Sequence, residues 1–199
     1  MTAAVPTRRE LLTAGVAGAV GLLTVPATTA AATHVTPFSE TDRLQRLIRV
    51  EHLLLYCYRH VLGSSLLGPR ARRTLMPFPG HEEAHISSLE ARLRARGGTV
   101  PPGPDSIATA NRYLARRGIG GRLGQLKGGR DALYLLLTLE QVTIGAYFVA
   151  LTKFQDRELI TLACEIIGNE AQHDAMIGLV LPKATPASAA PYGLVQGLQ

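Results

Sequence analysis

The sequence predicts an all-α fold, a four-helix bundle made of two helical hairpins joined by a long crossover. Three observations carry this. Four segments, starting near residues 39, 81, 129 and 157, repeat apolar side chains at three- and four-residue steps, over lengths that suit helices rather than strands. Leu and Ala dominate the composition, aromatics make up only 5% and Trp is absent, a balance that favours helix over sheet. A Gly- and Pro-rich stretch of about thirty residues separates the second segment from the third, the length of a connection that crosses a bundle rather than one that closes a hairpin.

Residues 1–32 read as a leader. Arg8 and Arg9 in "TRRELL" precede an apolar run from Leu11 to Val25, and the small residues Ala30 to Ala32 suit a cleavage site. The arginine pair resembles a twin-arginine export signal. That implies a twin-arginine translocase as a partner and a location beyond the cytoplasmic membrane, in the periplasm, the cell wall or the medium. The run is too short and too rich in Gly and Ala to read as a membrane span.

The bundle is expected over 38–182. Its first helix starts at Ser39 or Thr41, either of which can cap the first turn, with Glu40 and Asp42 near its positive end. Leu44, Leu47, Ile48, Glu51, Leu55 and Tyr58 form one face, and the helix ends near Gly63. The second helix carries "HEEAHISSLEARLRARGG" and ends at Gly97 and Gly98. Pro77, Pro79 and Gly80 place its start or a kink around Pro79, which would set a helix N-terminus beside Glu82 and open that side to water or a small oxidant. The crossover holds a short helix near 105–117, started by Asp105 or Ser106. The third helix spans about 129–154, and the fourth runs from 157 to Pro182. The tail 183–199, rich in Ala, Pro, Ser and Gly, is expected to be flexible.

The two hairpins repeat each other. "EHLLLYCY" (51–58) and "EQVTIGAY" (140–147) each place Tyr seven residues after Glu, and they lie 89 residues apart. "EEAH" (82–85) and "EAQH" (170–173) lie 88 residues apart. In a helix, residues three apart share a face. Each half therefore offers a lone Glu on one helix and a Glu–His pair on the next. This is the donor set of dinuclear metal carboxylate bundles, with all six side chains pointing inward. The candidate ligands are Glu51, Glu82, His85, Glu140, Glu170 and His173.

The chemistry asks for these residue types. Two divalent cations held close together repel, and four carboxylates neutralise them. The Glu of each E-x-x-H has two oxygens and can bridge, while each His gives one neutral nitrogen. Mixed carboxylate and imidazole donors suit iron or manganese, so two Fe ions, or Mn, are the expected cofactors. Four carboxylates on apolar helix faces would be costly without metal or protons. Tyr58 and Tyr147 stand two turns beyond the lone Glu residues. Their ordinary role is core packing with a bonded hydroxyl. The functional one is a partner to the metal ligands or a redox-active phenol.

Other polar residues read as ordinary. Asp174, Glu83, Glu90, Glu165, His52 and His60 fall off the ligand face and are expected at the surface. His81 lies four residues before His85 and reads first as a capping or surface residue, with an alternative ligand or proton carrier as the second option. The net charge of +6 suits an anionic partner, and arginines cluster in "RARR" (70–73) and "RLRAR" (92–96). No interleaved aromatics or nucleic-acid motif accompany them, so they read as solvated faces with no nucleic-acid partner. Cys57 and Cys164 lie six residues beyond and six before level ligands on parallel helices, roughly 18 Å apart along the axis. That is too far for a disulfide, so two free, buried thiols are expected.

With these motifs the chain resembles the ferritin-like superfamily, which includes rubrerythrins, bacterioferritins and manganese catalases. The nearest likeness is to exported bacterial ferritin-like domains with twin-arginine signals, related to desiccation-associated proteins. The resemblance spans roughly 40–182. It implies a redox metalloprotein that acts on oxygen or peroxide, by iron oxidation or peroxide reduction. It equally admits a non-catalytic metal-binding or stress-protective protein, or a manganese catalase-like enzyme. Self-association into a homo-oligomer is left open. The chain has no C-x-x-C, so it carries no rubredoxin-like electron-transfer module of its own.

Overall fold

The computed structural model describes residues 38–120 and 122–181. The leader read at 1–32 and the tail at 183–199 lie outside the described residues. The described chain is all helical, as the sequence predicts. Its helices are α1 (Glu40–Gly63), α2 (Pro69–Leu75), α3 (Phe78–Ala95), α4 (Ile107–Arg116), α5 (Gly129–Leu151) and α6 (Arg157–Val180), with one 3-10 turn at Leu123–Gln125.

Local chemistry explains the ends. At α1 the Ser39 hydroxyl accepts from the Asp42 N–H at 3.1 Å, and the Asp42 carboxylate accepts from the Ser39 N–H at 3.0 Å. This reciprocal box satisfies two of the donors that every helix start leaves unpaired. Ser106 caps α4 through the Thr109 N–H, and Asp156 caps α6 through the Glu158 N–H. At the end of α3, Gly97 turns the chain with φ +70°. Its N–H donates to the Arg94 carbonyl at 2.9 Å, and the Gly98 N–H donates to the Leu93 carbonyl at 3.0 Å.

α1 pairs with α3 and α5 pairs with α6, the two hairpins meeting along α1 and α5. The crossover puts α4 against α1. Two apolar clusters fill the bundle. One gathers Leu53, Leu54, Tyr58 and Val61 with Leu75, Leu114, Leu136 and Ile177. The other gathers Leu44, Leu47 and Ile48 with Leu89, Leu93, Tyr147, Ala150, Leu159 and Ile166. On every one of the four long helices the candidate ligands fall between the residues of these two clusters. The polar groups thus occupy a thin layer in mid-bundle, sealed above and below by hydrocarbon. α5 is long and apolar enough to cross a membrane, yet much of that apolar surface is buried inside this core.

Two expectations need correction here. The "RARR" stretch lies within a short helix, α2, which the sequence reading did not place. Pro69 starts it and Ala71 and Leu75, one turn apart, bury against the bundle. A helix this short offers only one apolar pair, too little periodicity to read. Both cysteines are free, as expected, but only Cys57 is buried; Cys164 is exposed. The difference comes from cover: Cys57 packs in the apolar cluster that includes Leu75 of α2 and Ala110 and Leu114 of α4. Burial pushes the Cys57 thiol up to about 12. Iodoacetamide should therefore label Cys164 alone in the native protein and both cysteines after denaturation. Peptide mass spectrometry reads this directly.

Candidate metal centre

Glu51 comes from α1, Glu82 and His85 from α3, Glu140 from α5, and Glu170 and His173 from α6. All four carboxylates are fully buried, and His85 and His173 nearly so. The structure brings together all six residues that the sequence singled out. They form two groups of four, each with donor atoms within 4.8 Å of one another: Glu51, Glu82, His85 and Glu170, and Glu82, Glu140, Glu170 and His173. Glu82 and Glu170 belong to both groups. The two E-x-x-H carboxylates are thus the shared pair, and each lone Glu and each His serves one group.

Hydrogen bonding sorts the oxygens further. Tyr58 on α1 donates its hydroxyl to Glu140 Oε1 on α5, and Tyr147 on α5 donates to Glu51 Oε1 on α1 at 2.5 Å. The two bonds cross between the hairpins and mirror each other. They leave Glu51 Oε2, Glu140 Oε2, both oxygens of Glu82 and Glu170, and Nδ1 of His85 and His173 without hydrogen-bond partners. Such orphaned buried atoms are rare in a folded chain and demand a reason. Here they converge. His85 Nδ1 lies 3.1 Å from Glu170, 3.4 Å from Glu82 and 3.7 Å from Glu51. His173 Nδ1 lies 3.1 Å from Glu82, 3.3 Å from Glu170 and 3.4 Å from Glu140. Each group, with three carboxylates and one imidazole nitrogen, could hold a metal ion, and Glu82 and Glu170 are common to both groups.

The electrostatics of the cluster follow from burial and from its crowded carboxylates. Burial, with the charge of Glu170 beside them, raises Glu51 and Glu140 well above the usual carboxylate range. Burial works to raise Glu170 too, but His173 and His85 overrule it and hold it at about 2. Burial works to lower the histidines, yet the surrounding carboxylates push His85 up to about 12 and His173 up to about 11. The cluster thus favours the charged form of both imidazoles and the neutral form of Glu51 and Glu140. Burial and Glu140 keep the Tyr58 hydroxyl neutral, and burial and Glu51 do the same for Tyr147.

Known proteins bear on this arrangement. The family model for the ferritin-like domain matches residues 39–183, the whole bundle. The chain belongs to the ferritin-like domain family. A solved structure, that of the conserved hypothetical protein rv2844 from Mycobacterium tuberculosis, shares the ferritin-like fold with a TM-score of 0.59 and 19% identity, covering 71% of this chain and 96% of that one. No curated protein matches this ferritin-like chain.

Around the six residues, this ferritin-like domain departs from the sequence reading in two places. Asp174 was expected at the surface and is fully buried, with neither oxygen hydrogen-bonded. Burial raises it to about 6, against an opposing effect of Gln141. The signal was present: Asp174 follows Glu170 by four residues, which places it one turn along the same face. The second departure concerns the proline break. α3 does begin there, at Phe78, with Pro79 in its first turn. It does not open the site on that side. Glu82 is fully buried, and the Phe78 ring stacks on His173 with centroids 4.0 Å apart. His81, itself exposed, sets its Nδ1 2.9 Å from His173 Nε2. Glu83 stays exposed and pairs with Arg59, while Glu90 is drawn into pairs with Arg94 and His52.

Proposed function

We propose that this ferritin-like domain is a dinuclear metal carboxylate protein that holds two divalent ions, iron or manganese, and uses them for redox chemistry on oxygen or peroxide. The observation that supports it is the set of orphaned donor atoms, arranged as two groups of four that share Glu82 and Glu170. Four carboxylates match the charge of two divalent ions, and this mix of oxygen and imidazole donors suits iron and manganese.

When bound, such an ion pair would supply two one-electron steps, enough to oxidise iron with oxygen or to reduce peroxide. The protein's own contribution is positioning and exclusion. Tyr58 and Tyr147 each hold one oxygen of a lone Glu, so that its other oxygen faces the centre. The two apolar clusters keep bulk water from the layer, which strengthens every charge interaction inside it. The leader at 1–32 supports export by the twin-arginine route and a place of action beyond the cytoplasmic membrane.

Anaerobic loading of the metal-free protein with ferrous iron, followed by oxygen, tests the reading. We expect two ions per chain and iron oxidation faster than in buffer alone, followed by ferric absorbance and oxygen uptake. A loaded protein that leaves iron ferrous would establish the non-catalytic alternative. Peroxide disproportionation by the manganese form alone would establish the catalase-like one. A protein that takes up neither metal would refute the proposal.

A further inference from the structure

The repeat that builds the centre differs between its halves at the residue just before each E-x-x-H glutamate. "GHEEAH" (80–85) and "GNEAQH" (168–173) align with Gly on Gly, Glu on Glu and His on His, but His81 stands where the other half has Asn169. The consequence is visible across the bundle. His81 Nδ1 meets His173 Nε2 at 2.9 Å, and the two rings lie nearly parallel, edge to edge, with centroids 5.2 Å apart and 11° between planes. Phe78 stacks on His173, with 17° between planes. Asn169 makes no such contact: its side-chain oxygen is buried without a hydrogen-bond partner, and among the described residues nothing bonds it to His85. The His85 side chain is also the more exposed of the two, at 11% against 2%.

We propose that His81 is a positioning residue for His173 and that it makes the two metal positions unequal, the His173 position filling first. This rests on the metal-binding reading above. The chemistry is that of the imidazole ring. His173 points Nδ1 at three carboxylates. A cation there needs the lone pair on Nδ1, which puts the proton on Nε2. His81 accepts that proton in a hydrogen bond through its own Nδ1 and turns its far nitrogen to solvent. The bond selects the productive tautomer, fixes the plane of the ring and makes the ligand more basic. Loss of such a partner to a metal-bound histidine typically lowers metal affinity about 10–100-fold. Among the described residues His85 has no equivalent brace, so its three carboxylate neighbours alone hold its ring and no acceptor selects its tautomer. The proline-started α3 makes this possible, because beginning the helix at Phe78 lays Phe78 and His81 over His173.

The test is a cobalt(II) titration of the metal-free full chain, followed by visible absorption and calorimetry. The native protein should bind two ions in two resolved steps. His81→Ala should weaken the first step about 10–100-fold and leave the second nearly unchanged. His81→Asn should restore most of the loss, because at the start of α3, where His81 already reaches His173, Asn Oδ1 takes the place of His Nδ1 as acceptor, unlike Asn169 in mid-α6; a purely steric role would show no such rescue. Asn169→Ala should change neither step. Glu140→Ala, which removes a donor found only in the His173 position, should abolish the same step that His81→Ala weakens. His81 is exposed, so its variants should fold, and circular dichroism of every variant in the metal-free form would confirm that each one does. Unaltered binding in His81→Ala, or Asn no better than Ala, would overturn the inference while leaving the metal reading intact. A native protein that binds no cobalt would overturn both.

Discussion

Glu170→Ala should leave the protein unable to hold either metal ion, whereas Glu51→Ala and Glu140→Ala should each retain one. Glu170 and Glu82 belong to both donor groups, while Glu51 serves only the His85 group and Glu140 only the His173 group. Removing Glu170 strips each position to two oxygens and one nitrogen and takes away one of the two carboxylates that can span both ions. It has a second consequence. Without metal, Glu170 is the acid closest to His85, at 3.1 Å, and lies 3.3 Å from His173. Its loss removes one of the three carboxylates around each buried imidazole and leaves Glu82 as the acid common to both; breaking a buried charge pair costs up to about 3–5 kcal/mol. Glu170→Gln keeps the volume and lets the stability effect be separated from a packing defect. Metal per chain after equilibrium dialysis, read by inductively coupled plasma mass spectrometry, decides the matter. One ion retained in Glu170→Ala would show that the two positions do not share this carboxylate.

Stabilisation by metal should grow steeply as pH rises. In the metal-free fold His85 and His173 are raised from 6.5 to about 12 and about 11. A raised value means that the fold binds more protons than the unfolded chain. The stability these groups contribute is complete below about pH 6.5 and declines as pH climbs toward 11 to 12. Glu51 and Glu140, also raised, act in the same direction, beginning above 4.5. Glu170, held at about 2, acts oppositely: its contribution is present above 4.5 and lost as pH falls toward 2. The metal-free protein should therefore lose stability as pH passes upward through neutrality. The loaded form behaves in reverse, because a cation must displace the proton on each His and on Glu51 or Glu140. With up to about two protons displaced per ion, affinity should rise by up to about 100-fold per pH unit. The gap in Tm between loaded and metal-free protein should widen from pH 5 to pH 8. Calorimetry in buffers of different ionisation enthalpy should show net proton release. A gap that narrows over this range would contradict the assignment of these residues as ligands.

The site was legible in the chain because the same pattern is written twice. A single E-x-x-H describes many wet helix faces. Two of them, each with a lone Glu about thirty residues upstream and a Tyr seven residues beyond that Glu, leave little room for surface composition. The Ser39 cap, the Gly97 terminus and the Ser106 start were equally readable, since each depends on a few neighbouring residues. What failed to be read shares a different trait. Asp174 was placed at the surface although its spacing from Glu170 puts it inside. Cys164 is expected inside but is exposed, whereas Cys57 packs in the apolar cluster with Leu75 of α2 and Leu114 of α4. The proline break before Glu82 pointed to an opening, but Phe78 and His81 close over His173 there.

The sequence by itself determined that the chain is helical, where most helices begin and end, and which six side chains share the inward faces. These follow from turn geometry, capping chemistry and a period of 3.6 residues, all of which act over a few positions. Only the tertiary structure decided that Tyr58 reaches across to Glu140 and Tyr147 to Glu51, and that His81 meets His173 across the bundle. Those contacts join residues 82 to 96 positions apart. Packing between distant segments chooses them, and no local periodicity records that choice.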